Sequence, residues 1–281
     1  DRNRSAAAAG VLVGVGGERK VSIYNNAGTA HLVVDVTGYF TESGGDGYGA
    51  LPTGARVLDT RTDGGRMASG QRRTVQVAGR NGVPADATAV VLNVVSAVAA
   101  GNGNLAVVPK GGSVTVSTVN HLPGQDVANR TVVPLSGGAV DVVNTGGATN
   151  VVIDVVGWFG PSGTARYTPI VPARAFDTRV AGGMIGAGRT ATLPVRSSTG
   201  IPADAVAAAM TLTATQQTAP FTFLSMWPTG AARPLASDLN TGRGRDQANS
   251  TIVRLGPDGN VQVYNNMGLT HVVGDVYGWF R

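Results

Sequence analysis

The sequence predicts an all-β protein: two tandem antiparallel β-sandwich modules, jelly-roll-like, preceded by the last strands of a third. Three observations carry this. Among 281 residues there are only two lysines (Lys20, Lys110) and two glutamates (Glu18, Glu42), against twenty arginines and fifteen aspartates, so the usual solvent-facing helix formers are almost missing. Val- and Thr-rich runs alternate with Gly, Pro, Asn and Asp, the pattern of strands and turns, and the 41 glycines are about twice the ordinary share. Finally, the chain repeats itself. Arg56-Val57-Leu58-Asp59-Thr60-Arg61 returns as Arg174-Ala175-Phe176-Asp177-Thr178-Arg179, and Val83-Pro84-Ala85-Asp86 as Ile201-Pro202-Ala203-Asp204, both displaced by 118 residues.

A closing motif occurs three times, as Val34-Asp35-Val36-Thr37-Gly38-Tyr39-Phe40, Ile153-Asp154-Val155-Val156-Gly157-Trp158-Phe159 and Gly274-Asp275-Val276-Tyr277-Gly278-Trp279-Phe280. The expected units are therefore residues 1–40, the C-terminal third of a truncated repeat, and two complete sandwiches over 50–160 and 166–281. In the first complete copy, strands are expected near 55–60, 72–78, 88–98, 104–109, 114–121, 129–135, 138–143 and 149–159. Eight strands in this length suit a two-sheet sandwich, whereas a propeller would show a four-strand period of half the size. Asn144-Thr145-Gly146-Gly147 and Asn265-Asn266-Met267-Gly268 read as the turns of a terminal hairpin, and the linkers fall at 41–49 and 160–163.

Composition excludes several function classes. Without cysteine there is no disulfide, no thiolate catalysis and no sulfur-ligated zinc. The longest apolar stretch, Ala87 to Ala100, is interrupted by Thr88, Asn93 and Ser96 and is too short for a membrane span, so no membrane insertion is expected. A net charge of +5 would favour acidic partners, but the arginines are scattered and specific nucleic-acid binding is not expected. No charged start followed by an apolar run opens the chain, so any export signal is expected to have been removed or never present.

The order Arg-x-x-Asp-Thr-Arg, then Val/Ile-Pro-Ala-Asp-Ala, then Tyr-Asn-Asn-x-Gly and Asp-Val-x-Gly-aromatic-Phe resembles tandem modules of about 120 residues in exported and cell-wall-associated actinobacterial proteins. The resemblance covers essentially the whole chain. It implies secretion, a cell-wall-associated location and a GC-rich Gram-positive source, and it carries no catalytic residues over. The truncated first copy departs from the pattern.

Side-chain alternation assigns two faces to the closing strand. Leu32, Val34, Val36 and Phe40, with Val151, Ile153, Val155 and Phe159 in the middle copy, form the core face. Asp35, Asp154 and Asp275 share the other face with Tyr39, Trp158 and Trp279. An acid beside an aromatic ring suits a sugar, the ring stacking on the pyranose. A structural reading competes: Asp59 and Arg61, with their counterparts Asp177 and Arg179, are ion-pair candidates for Asp154 and Asp275, because an aspartate in an apolar strand requires a partner if buried. Trp227, where the first copy has Val108, is a stacking candidate if exposed and a core filler otherwise.

Other constellations fail. Asn150 stands where the other copies have His31 and His271, and His121 is the only further histidine, so neither a metal site nor acid–base chemistry is expected. No Gly-x-Ser-x-Gly elbow or phosphate loop occurs, and the glycines at 182, 183, 186 and 188 read as a loop rather than a dinucleotide fingerprint. Asn3, Asn129 and Asn249 satisfy the glycosylation pattern but read as turn residues leading into strands. No enzymatic activity and no cofactor are expected. Two function classes stand: a surface module binding cell-wall polysaccharide, glycan or a surface protein through Tyr39, Trp158, Trp227 and Trp279, and a filament or coat subunit that self-associates by edge-strand complementation through residues 1–40.

Overall fold

The computed structural model describes residues 7–281, which places Asn3 outside the described residues. Sixteen strands and one helical turn follow in order: β1 Gly47–Asp59, β2 Arg72–Gln76, β3 Ala89–Ala97, β4 Gly103–Pro109, β5 Val119–His121, β6 Val127–Pro134, β7 Ala139–Gly146 and β8 Asn150–Gly160, then β9 Tyr167–Asp177, β10 Arg189–Pro194, α1 Arg196–Thr199, β11 Ala207–Thr215, β12 Thr222–Pro228, β13 Leu239–Thr241, β14 Gln247–Arg254, β15 Asn260–Asn265 and β16 His271–Phe280. They form four antiparallel sheets of four strands.

In the first module the sheets run β1-β8-β3-β6 and β2-β7-β4-β5. The second repeats this as β9-β16-β11-β14 and β10-β15-β12-β13. With strands numbered from one within each module, both have the orders 1-8-3-6 and 2-7-4-5, the connectivity of a jelly roll. The alternation in the sequence is the cause. Val90, Leu92 and Val94 of β3 point inward with Leu105, Val107, Val140, Val142, Val151, Ile153 and Val155, and these fully or nearly buried side chains fill the space between the two sheets. Met210, Leu212, Leu224, Val261, Val263, Val272 and Val276 do the same in the second module.

Three expectations are corrected. The turns at 144–147 and 265–268 do not close hairpins, because β7 and β8 lie in opposite sheets, as do β15 and β16. The corner is held by the buried Asn144 amide, which donates to Met67 O at 2.9 Å and to Gly147 O at 3.1 Å. The strand expected at 114–121 is reduced to Val119–His121, since the residues before it run as a loop over the sheet. Finally, among the described residues of 1–40 there is no strand: the closing motif at 34–40 is exposed and joins no ladder. The propensity is present, but the partner strands that would satisfy its backbone groups are not.

Between the modules lies a third apolar cluster around Tyr48, Val91, Phe159, Ala209, Ile252, Tyr277 and Phe280. Polar groups are buried beside it. Arg130 of β6 pairs through Nη2 with Oδ1 of Asp238 in the second module at 2.6 Å, and the Asn249 amide donates to Asn93 Oδ1 at 3.0 Å. The glycine of the closing motif has a packing reason here. A methyl group at Gly157 would overlap the Tyr48 ring, and one at Gly278 would overlap the Tyr167 ring.

Candidate functional site

The most complete polar constellation is the Arg-x-x-Asp-Thr-Arg segment at the end of β1 and of β9. Register places Arg56 opposite Asp154, and the Arg56 Nε donates to Asp154 Oδ1 at 2.6 Å while its Nη1 donates to Asp59 Oδ2 at 3.0 Å. Arg61 then grips Asp59 from the other side, Nε to Oδ1 at 2.8 Å and Nη2 to Oδ2 at 2.6 Å. The Thr60 hydroxyl accepts from Val151 N at 2.8 Å, tying the turn to β8. The second module repeats each bond: Arg174 reaches both Asp275 and Asp177, Arg179 forks Asp177, and the Thr178 hydroxyl accepts from Val272 N at 2.9 Å.

The residues that reach the closing-strand aspartates are thus Arg56 and Arg174, which the sequence reading passed over, and not Arg61 and Arg179. Spacing gave no signal for this: strict alternation sets Arg56 and Asp59 on opposite faces, and the register shift between Arg56 and Leu58 brings them to one side, while Arg61 lies in the turn. The Arg61 fork, helped by Arg56, holds Asp59 down at a pKa of about 2, below its ordinary 3.8. Asp177 is lowered in the same way by Arg179. Asp154 moves the other way, because burial outweighs the stabilising Arg56. Such a clamp fixes the end of each sandwich, and it engages Asp59 and Asp177 with four hydrogen bonds each, while Asp154 accepts two and Asp275 one.

The aromatic candidates separate. Trp227 is only 4% exposed and Trp279 9%, so neither presents an open face for stacking, and both are corrected to core residues. The loop after β12 causes the first: it folds back so that Trp227 Nε1 donates to Ala231 O at 3.0 Å. Trp158 is half-buried across Gly49, and Tyr39 is exposed on the N-terminal stretch. Among histidines, His271 Nδ1 meets Thr178 Oγ1 at 3.1 Å and His121 lies between Gly101 O and the Asn144 side chain. Asn129 and Asn249 are buried and hold Thr118 O and Asp238 O, which leaves no room for a glycan on either. Among the described residues no three His, Cys, Asp or Glu gather as a metal site, and no helix is long and apolar enough to cross a membrane.

One aromatic face was not foreseen. On the outer surface of the sheet β10-β15-β12-β13, Tyr264 and Phe223 lie with ring centroids 6.1 Å apart, and the Arg233 guanidinium covers Tyr264 at 3.8 Å from its centroid. Register adds Thr190 beside Tyr264 and Asn240 beside Phe223. In the first module the positions of Tyr264 and Phe223 are held by Val143 and Asn104, and that of Thr190 by Arg72, so the aromatic pair belongs to the second module alone. The crevice between modules, bounded by Leu51, Gly54, Trp227, Pro234 and Ile252, has a volume of ≈ 20 Å³, room for about one water and not for a sugar ring.

The fold and its sites define a tandem pair of jelly-roll modules braced by arginine clamps. No family model and no curated protein matches the chain. Among solved structures it is similar to the N-terminal CBM22-1–CBM22-2 tandem of Paenibacillus barcinonensis Xyn10C, at 10% identity over 81% of this chain and 99% of that one, with a TM-score of 0.23. The PBSX exported protein XepA gives 11% identity, 87% and 99% coverage and a TM-score of 0.24. Infectious bursal disease virus, Gx strain, gives 9%, 84%, 72% and 0.22. Likenesses this weak carry no argument, and the jelly-roll assignment rests on strand order.

Proposed function

We propose that this chain is a non-catalytic binding module of the cell exterior, taking a cell-wall polysaccharide or related glycan on the outer aromatic face of the second module. The observation that carries the reading is the grouping of Tyr264, Phe223 and Arg233, bordered by Thr190 and Asn240: half-buried rings, Tyr264 capped by the exposed Arg233, next to hydroxyl-binding groups on the outer face of the sheet. The clamped aspartates support the non-catalytic part, since both modules use them as braces. The exported, cell-wall-associated location rests on the motif order that the chain shares with such modules.

Titration of isolated wall polymers and soluble glycans against the chain by calorimetry tests this. Tyr264→Ala should weaken binding by at least about tenfold, the loss of one stacking contact, and Tyr264→Phe should keep most of it. If no polymer binds the native chain, the reading falls.

Assembly through the N-terminal stretch is a second reading, favoured by the exposure of Val33 (88%) and Val36 (84%) on a strand-like sequence.

A further inference from the structure

We infer that residues 7–40 are the counterpart in sequence of the last three strands of a jelly roll, and that the surface they present takes a five-strand unit of this same repeat, closing the molecule into a ring of three modules rather than extending it into a filament. Residues 7–40 align without a gap on 247–280, displaced by 240, so that they correspond to β14, β15 and β16. Within 21–40, 11 of 20 residues are identical to those of 261–280.

The stretch is already docked in a three-fold arrangement. Phe40, Phe159 and Phe280, the same position in each copy, have ring centroids 5.8, 6.1 and 6.4 Å apart, a nearly equilateral triangle. Tyr48 packs on Phe159 of its own module and Phe280 of the next, at 5.2 and 4.4 Å. Tyr167 packs on Phe280 of its own module and on Phe40, at 5.1 and 4.7 Å, so the N-terminal stretch occupies the place of the module that follows the second. It also occupies the place of the module that precedes the first. Gly10 N donates to Asn129 Oδ1 at 3.1 Å, just as its counterpart Arg130 N donates to Asn249 Oδ1 at 3.2 Å. One segment in both places means that the order closes on itself.

Two vacant positions specify the missing unit. Tyr48 covers Gly157 and Tyr167 covers Gly278, but among the described residues nothing lies within 4 Å of a methyl built on Gly38, where a third tyrosine would fit. The Arg56–Asp154 pair is covered by the loop after β12, whose Leu235 O accepts from Arg56 Nη2 at 3.0 Å. Among the described residues its counterpart Arg174–Asp275 has no such cover, and the Asp275 side chain is 36% exposed where that of Asp154 is 0%. In the ring, the equivalent loop of the third module falls there. A single occupant, equivalent to β1–β5, thus supplies the tyrosine over Gly38, the sheet partners for residues 7–40 and the cover for Asp275. In both complete modules these five strands run directly into the sixth, so the unit is expected to join the chain ahead of residue 7. Ala9 stands where the other copies have Asn129 and Asn249, so the third junction lacks one hydrogen bond that the others make.

The experiment duplicates residues 47–126 ahead of residue 7 in the full chain, and in a second version duplicates residues 167–246 there. Hydrogen exchange read by mass spectrometry should show 21–40 exchanging at coil rates in the unextended chain. In at least one extended chain it should slow by about a thousandfold, to the level of 261–280, with carbodiimide labelling of Asp275 suppressed and three lobes in electron micrographs. Both extended chains leaving 21–40 unprotected, open fibres in place of closed particles, or failure of both to fold would overturn the inference.

Discussion

Val21–Phe40 and Val261–Phe280 carry nearly the same pattern and end in opposite conditions. Val276 and Phe280 are fully buried, while Val36 is 84% exposed and Phe40 43%. The difference is entirely in the company each segment finds. β16 lies between β9 and β11, and β15 between β10 and β12, so each backbone group and each inward side chain has a partner. Among the described residues the N-terminal copy keeps contacts with the modules at Gly10, Leu12 and Phe40. Alternation in a sequence therefore specifies which way side chains would point in a sheet; formation of the sheet is a non-local event.

The sharpest way to break the comparison is at its last residue. Phe280→Ala should destabilise the protein by about 3–5 kcal/mol in denaturant unfolding, because it empties the centre of the intermodule cluster, whereas Phe40→Ala should cost about 1 kcal/mol or less. Equal losses would mean that the N-terminal stretch is already as firmly packed as β16.

The junctions give the next contrast. Asp238→Ala strands the buried Arg130 guanidinium and removes the acceptor for Met226 N, with an expected loss of about 3 kcal/mol. The hydroxyl of its counterpart Thr118 accepts from Val107 N alone, and Thr118→Ala should cost about 1 kcal/mol. A smaller graded effect is expected along the repeated aspartates. Asp154→Ala, which removes both bonds to Arg56 and leaves a buried gap, should cost about 2 kcal/mol and Asp275→Ala, partly exposed, under about 1 kcal/mol. Asp35→Asn should leave the unfolding midpoint unchanged.

Acid sharpens the comparison least but most cheaply. Asp59 is depressed in the folded state, so its contribution is fully present above its unfolded value of 3.8 and is lost as pH falls through the folded value of about 2. Asp154 is raised and acts in the opposite sense, favouring the fold more once protonated. The melting temperature of the two modules should fall between about pH 4 and 2, and Asp59→Asn should make that fall shallower. A melting temperature unchanged over that window would show that the clamps do not brace the modules.

Much of the fold was legible because strand and turn signals are local. The lack of Lys and Glu, the valine alternation and the repeated motifs located two eight-strand modules, with the strands of the first near their expected places except that β1 begins at Gly47, inside the stretch read as a linker, and that the strand at 114–121 is cut short. The hairpin reading failed because a short Asn-Gly turn looks alike whether the chain reverses within one sheet or crosses to the other. Site residues were less legible. Arg56 was hidden among twenty arginines until register set it opposite Asp154, and Trp227 looked like a binding residue until its own loop closed over it. Tyr264, Phe223 and Arg233 are spread over 42 positions of sequence and meet only through the pairing of β12 with β15.

By itself the sequence determined the class of structure and the repeat, since these follow from backbone propensity and period-two alternation, but it assigned the faces correctly only up to the bulge in each closing strand: beyond it Trp158 and Trp279 turn to the inner core and Phe159 and Phe280 to the intermodule cluster, the reverse of strict alternation. The tertiary structure alone decided which arginine braces which aspartate, which tryptophans are interior, and that three copies of one phenylalanine meet on a common axis. Those depend on strand order and module docking, where residues more than a hundred positions apart are brought within a few ångströms and no local pattern encodes the encounter.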